Sequence, residues 1–362
     1  MAEIRPLTGL RGIAAVSVFM AHMRDTLGDH GFAVAVPDPL VRLFLSGGRQ
    51  VDIFFVLSGF ILAMNYRDWF KDAVPLASYR TFLQRRFARI YPLHFVMLIL
   101  VIGFVVAGRA LGAHSYFGLD RFRWVDLPEH FLLIHAWGLF SEGPGEWNPP
   151  SWSISIEALA YLLFPLAMWL IARFRPRFVW LPLLAGVAIG FGLNAVTHWG
   201  LSGFPGLARG LSEFLLGCLL MNLYGSPAAA WLQRNPGASA AALLLIVTYL
   251  LTPDTGFVIA IGAAPLLLTL CKDNAVSRFF AWQPVYFLGE ISYSIYLGHF
   301  LFSSIAYRLV NESWMKTGAL PMAAGIATIM AFVLAMSTLC YYLVERPGRD
   351  LLSGRRRTAV VA

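Results

Sequence analysis

The chain has 362 residues, 58% of them hydrophobic and only 13% charged, with a formal net charge of +8. A soluble domain carries roughly a quarter charged residues; with mean hydropathy +0.65, this composition excludes one. The basic excess sits in short loops between apolar runs, as the positive-inside rule expects, and does not form a nucleic-acid surface. Strand alternation of the outer-membrane-barrel kind is absent. The fold class is therefore all-α, a polytopic bundle of membrane helices.

The first predicted helix covers residues 7–27. Residues 1–35 resemble a signal peptide, but Ala33-Val34-Ala35 lies far beyond the apolar core and after Arg24, Asp25 and Asp29. The segment is therefore kept as a helix. Its apolar stretch from Gly12 to Ala21 is bracketed by Arg11 and His22. Eleven steps of about 100° put both on one stripe, roughly 16 Å apart along the axis. Ionisable groups at such depth are costly unless they face protein or water, which makes them functional candidates. The alternative is an interfacial arginine that snorkels and a hydrogen-bonded interior histidine.

The second predicted helix, residues 51–66, lies in QVDIFFVLSGFILAMNY and carries Asp52 near its start. Ser58-Gly59 within it reads as a packing contact. A basic stretch with Arg67, Lys71, Arg80, Arg85, Arg86 and Arg89 follows, then a third helix over 90–111. Residues 112–149 are more polar. Their short apolar piece, 130–140, reads as re-entrant or interfacial because it is short for a span. A fourth helix, 151–172, opens PPSWSISIEALAYLLFP. Further helices are predicted over 178–198, 208–224, 238–251 and 257–271. The ninth, 285–309, carries LGEISYSIYLGHF, and the tenth, 320–344, ends at ERPGRD. Residues 1–349 form one membrane domain, and 350–362 a basic cytoplasmic tail.

With about ten spans, the loops bearing Arg67–Arg89, Arg173–Arg177, Arg234, Lys272–Arg278 and Arg346–Arg357 all share the N-terminal side, which the charge rule makes cytoplasmic. Both termini are then cytoplasmic in a multi-pass protein of the inner membrane. No long internal repeat is evident, which weakens an inverted-repeat transporter. Cys218, Cys271 and Cys340 are an odd number in apolar segments, without disulfide or zinc spacing, and no metal site is expected.

Depth then groups the polar residues. His22 falls in the outer half, with Asp52 and the start of the fourth helix, Trp152, Ser153, Ser155 and Glu157, at similar height. A histidine beside a carboxylate is an acid–base pair with a fixed tautomer. Either Asp52 or Glu157 fits the partner role. At the cytoplasmic level Arg86 and Arg89 share a helix face with Arg11 nearby, and guanidinium groups match phosphate oxygens. Trp152 suits sugar stacking or an interfacial belt. His299 fits the cavity wall, while Glu290 fits an arginine partner. Arg209 and Glu213 read as an i,i+4 pair, and Glu345 and Arg346 as a structural pair. His94, His135 and His198 read as structural or interfacial.

Arg11 ten residues before His22, QVDIFFVLSGF, RRFARIYP, PSWSISIEALAYLLFP, LGEISYSIYLGH and YYLVERP together resemble the acyltransferase-3 family of integral membrane O-acyltransferases. The likeness runs from Pro6 to Arg349. It implies His22 as the catalytic residue with Arg11 as its partner, and Arg86 and Arg89 in handling the acyl donor. It also implies acyl-CoA, acetyl-CoA first, as donor, and an exported glycan or glycolipid as hydroxyl acceptor. Ser153, Trp152 and His299 are then candidate acceptor contacts. Many larger members append an SGNH hydrolase-like domain; this chain is expected to act without one in cis. One departure is Ser155-Ile156-Glu157-Ala158-Leu159-Ala160-Tyr161, which keeps one carboxylate where many relatives have two. A transporter or flippase of a lipid-linked sugar or acyl group is the competing class.

Overall fold

In the computed structural model, residues 3–29, 50–111, 122–139, 147–173, 203–235, 237–238, 240–244, 258–310 and 312–354 are described. Among them every regular element is helical. The longer helices are α1 (Arg5–Asp29), α2 (Gln50–Phe70), α3 (Leu76–Ala110), α5 (Trp152–Ile171), α6 (Gly203–Leu223), α8 (Val258–Leu270), α11 (Ser292–Leu309) and α13 (Ala319–Cys340). Short ones fill the chain order: α4 (Leu127–Phe131), α7 (Pro227–Arg234), α9 (Ala275–Ala281), α10 (Gln283–Glu290), α12 (Glu312–Met315) and α14 (Arg346–Leu352). Four described segments, Leu76–Ala110, Pro149–Ile171, Pro205–Leu223 and Ala319–Leu352, are long and apolar enough to cross a membrane. Phe95, Ile99, Leu100 and Val106 on α3, and Leu162, Leu163 and Leu166 on α5, are exposed. Such a face is stable against lipid.

Several predicted boundaries move. The third helix begins at Leu76, so Arg80, Arg85, Arg86 and Arg89 of the basic stretch lie on α3, while Arg67 falls in the last turn of α2. The ninth helix is broken at Ile291 into α10 and α11. Glu290 and His299 therefore do not share one regular helix. The tenth passes from α13 into a π-helical turn, Tyr341–Glu345. Residues 178–198, with His198, lie outside the described residues, as does most of 238–251.

Residues 127–139 form a short helix and turns, held against α5. Ala136 N–H donates to Ser155 Oγ (3.1 Å), the Ser155 hydroxyl to the Leu133 carbonyl (2.8 Å), and Trp137 Nε1–H to the Ser155 carbonyl (2.9 Å). Backbone that leaves helical geometry inside a membrane protein needs such protein partners.

Two close crossings position the site. A Cβ on Gly289 would overlap the Thr8 carbonyl, and one on Gly12 the Gly289 backbone. Only glycines let α1 and α10 approach this far. Likewise a Cβ on Gly59 would overlap the Phe214 carbonyl, and one on Gly217 that of Val56, so α2 lies flush on α6. The packing role foreseen for Ser58-Gly59 thus belongs to Gly59.

Arg209 ties the same two helices. Its guanidinium lies 2.5 Å from Asp52 Oδ1 and 3.6 Å from Glu213 Oε1. All three side chains are buried. The predicted Arg209–Glu213 pair is present, and Asp52 joins it across the helix interface. Removing Arg209 takes this cation from two buried carboxylates. Breaking a buried pair typically costs about 3–5 kcal/mol. Arg209→Met should therefore lower the unfolding temperature in detergent by several degrees. An unchanged melting curve would show that this cluster does not hold α2 to α6.

Candidate active site

Two adjoining cavities run into the bundle. The wider, about 390 Å³, opens among the start of α1, the end of α2, the first half of α3 and α14. Its wall carries five arginines, Arg11, Arg85, Arg86, Arg89 and Arg349, against the carboxylates Glu3 and Asp350. That volume falls in the roughly 300–1,000 Å³ range of small-molecule sites, and the charge suits an anion. The narrower, about 140 Å³, lies deeper and includes Ser58, Glu157, Tyr161, Ser153, Tyr293 and Tyr296 in its lining. Arg11, Ile61, Arg86 and Arg89 border both. Arg85 also lines the outer cavity, its guanidinium 5.3 Å from the Trp69 ring.

The shared arginines are held differently. Arg11 donates from Nε to Ser292 Oγ (2.8 Å) and from Nη2 to the Gly289 carbonyl (2.9 Å), a contact the Gly12–Gly289 crossing allows. Arg89 donates to Glu345 Oε1 at 2.9 Å, and Glu345 also accepts from the Ser294 hydroxyl at 2.8 Å. The structural pair expected for Glu345 with Arg346 is thus with Arg89, across 256 positions of sequence. The buried carboxylate comes from the π-helical turn, a feature frequent at functional sites. Arg86 has a weaker hold, 3.3 Å to the Tyr66 hydroxyl, and its buried Nε has no hydrogen-bond partner among the described residues. Glu290, expected to meet an arginine, accepts from Tyr341 Oη at 3.4 Å.

The deeper residues also divide. Glu157 accepts from the Ser58 hydroxyl (2.8 Å) and the Tyr161 hydroxyl (2.5 Å), inside the narrow cavity. Ser58 is therefore part of the cavity wall as well as a neighbour of the packing glycine. Ser153 shares a 2.7 Å hydrogen bond with the Tyr296 hydroxyl. Trp152 lies against Phe55, with ring centroids 6.2 Å apart.

His22 sits on α1 with its ring exposed. It meets His299 on α11: Nδ1 of His22 lies 3.1 Å from His299 Nε2, and the rings stack 5.0 Å apart. Of the carboxylates weighed as orienters, Asp52 closes on Arg209 and Glu157 on Ser58 and Tyr161. Thus the structure brings together His22 with His299, and Arg11 with Arg86 and Arg89. The narrow cavity reaches Tyr296, three residues before His299 in α11.

A third grouping was not visible in sequence. His94, His130 and His135 form a buried stack, with His130 and His135 ring centroids 3.9 Å apart. His94 Nε2 lies 2.8 Å from the His130 carbonyl, and His135 Nε2 3.1 Å from Ser151 Oγ. The rings stack face to face. Among the described residues no group of three or more His, Cys, Asp or Glu is arranged to hold a metal.

The described helices and their polar interior define a helical membrane protein with an internal site. The family model for an acyltransferase domain matches residues 5–342, and the chain belongs to this acyltransferase-3 family. It is similar to "Acyltransferase MdmB" of Streptomyces mycarofaciens, 31% identical over 100% of this chain and 95% of that protein. It is also similar to "O-acetyltransferase OatA" of Staphylococcus aureus (strain NCTC 8325 / PS 47), 24% identical over 95% of this chain but 57% of OatA. No solved structure matches the chain significantly. The protein is a membrane O-acyltransferase.

Proposed function

We propose that this enzyme moves an acetyl group from acetyl-CoA to a hydroxyl of an exported or surface glycan or glycolipid, with His22 as general base. The observation that carries this reading is the five-arginine cavity adjoining a narrower one lined by Tyr296, whose ring lies 6.2 Å from that of His299, the neighbour of His22. The 3′-phosphate and pyrophosphate of the donor occupy the arginine side, with Arg86 and Arg89 as their main ligands and Arg11 beside them. The pantetheine arm follows the narrow cavity inward. Acetyl is the favoured acyl group because the similar OatA is named an O-acetyltransferase. At the histidine, His22 takes the proton of the acceptor hydroxyl as its oxygen attacks the thioester carbonyl. The tetrahedral adduct collapses, the C–S bond breaks, and the proton passes to the leaving thiolate. Ser153 and Trp152 at the start of α5 are the proposed acceptor contacts, and no metal takes part.

Purified protein in lipid should release free thiol from acetyl-CoA in step with acetylation of an acceptor. Transport of a lipid-linked sugar without thioester consumption would overturn the reading in favour of a flippase. Acetyl label trapped on the protein by rapid quench would replace direct attack with an acyl-enzyme route.

The proposed topology has ten spans and both termini cytoplasmic, so the donor cavity opens to the cytoplasm where acyl-CoA is made. A reporter cysteine at Leu351 tests it, since that side chain is exposed at the end of α14. Gly354 is less suitable because its φ of 67° strains any side chain. In a background lacking the three native cysteines, Leu351→Cys should resist an impermeant thiol reagent in intact cells and react after lysis. Labelling of intact cells would reverse the orientation.

A further inference from the structure

We infer that His299 is a positioning residue that fixes the tautomer of His22, so that the base nitrogen is Nε2 and a second imidazole serves where a carboxylate would be expected. This rests on the reading of His22 as the base. The argument follows from what each neighbour can accept. His299 Nδ1 lies 2.7 Å from the Tyr296 carbonyl, which can only accept, so Nδ1 carries the proton. In the neutral ring Nε2 of His299 is then a lone pair. That lone pair lies 3.1 Å from His22 Nδ1, which must donate to it. The Val18 carbonyl, also 3.1 Å from His22 Nδ1, independently requires a proton on the same nitrogen. Two acceptors on two helices therefore agree on Nδ1–H for His22, whatever its Nε2 contacts. When Nε2 takes the acceptor's proton, the imidazolium still donates from Nδ1 to both oxygen and nitrogen, and these bonds strengthen as charge develops.

His299 is held for this task. It is buried, its ring nitrogen is anchored to its own helix, and Phe19 packs 6.1 Å away. A neutral ring with its proton on Nδ1 is what leaves Nε2 free to accept. The carboxylates first considered for the role are engaged with Arg209 and with Ser58 and Tyr161.

The direct test needs no substrate. Full-length protein with ¹⁵N-labelled histidine, in lipid bilayers, should show His22 as the Nδ1–H tautomer by solid-state NMR, the resonance being assigned by its loss in His22→Ala. An Nε2–H tautomer would overturn the inference. Kinetics with acetyl-CoA give a second reading. His299→Phe keeps the ring volume without an acceptor and should lower kcat by at least about tenfold, a part of the roughly 10²–10⁴-fold that a general base contributes. KM for acetyl-CoA should not move. His299→Gln restores an acceptor oxygen and should recover most of the rate. Phe and Gln variants equally impaired, or a Phe variant at the parental rate, would sink the positioning role. If His22→Ala itself turns over normally, the base assignment fails first, and the two failures are distinguishable.

Discussion

His22→Ala should lose acyl transfer by roughly 10²–10⁴-fold while binding acetyl-CoA as tightly as the parent. A sugar hydroxyl is a weak nucleophile until its proton is being removed, so the loss falls on the chemical step. Binding should survive because the charged end of the donor is proposed to lie elsewhere. Arg11 is eleven residues earlier on α1, about 16 Å along the axis. The ring is exposed, so truncation to alanine opens no core cavity. Equilibrium binding of acetyl-CoA and single-turnover transfer, measured on the same inserted protein, separate the two effects. Transfer at the parental rate would remove the central assignment. Loss of binding and transfer together would instead place His22 in the donor site.

Much of this bundle is legible in the sequence, and the limits follow from physics. The extents of α1, α5 and α8 match the predicted helices to within about two residues because an apolar run ends in charge or turn residues at each side. The start of α3 was missed because arginine clusters resemble a cytoplasmic loop, although arginine is a good helix former. The break at Ile291 leaves no apolar gap, so periodicity passes over it. The residues proposed for the site were chosen by depth and charge, which sequence supplies. Their partners were not, since partners are set by which helices touch. Arg89 with Glu345, Asp52 with Arg209 and His22 with His299 each join segments far apart in the chain. The pairs within one helix turn, such as Arg209 with Glu213, were the ones spacing could foresee.

Arg86→Ala should weaken acetyl-CoA binding by about 10–100-fold with the fold intact, whereas Arg89→Ala should damage both. The difference comes from what each guanidinium already holds. Among the described residues Arg86 has one long bond to Tyr66 and an unpartnered Nε, which leaves donors for a phosphate. Hydrogen bonds to charged groups are worth about 1.5–3 kcal/mol each, which sets the scale of the loss. Arg89 instead neutralises Glu345, a carboxylate with no solvent exposure of its side chain. Its removal strands that charge, at a cost of about 3–5 kcal/mol. The double variant Arg89→Ala/Glu345→Gln should therefore regain the melting temperature that Arg89→Ala loses, yet still bind acetyl-CoA weakly. Arg85 cannot serve as the neutral control, since it lines the same cavity. Arg80, exposed on α3 and outside that lining, can, and Arg80→Ala should bind as the parent does. Isothermal titration with acetyl-CoA and detergent melting curves on all five proteins decide the matter. Parental affinity in both Arg86→Ala and the double variant would move the donor's phosphates away from this cavity.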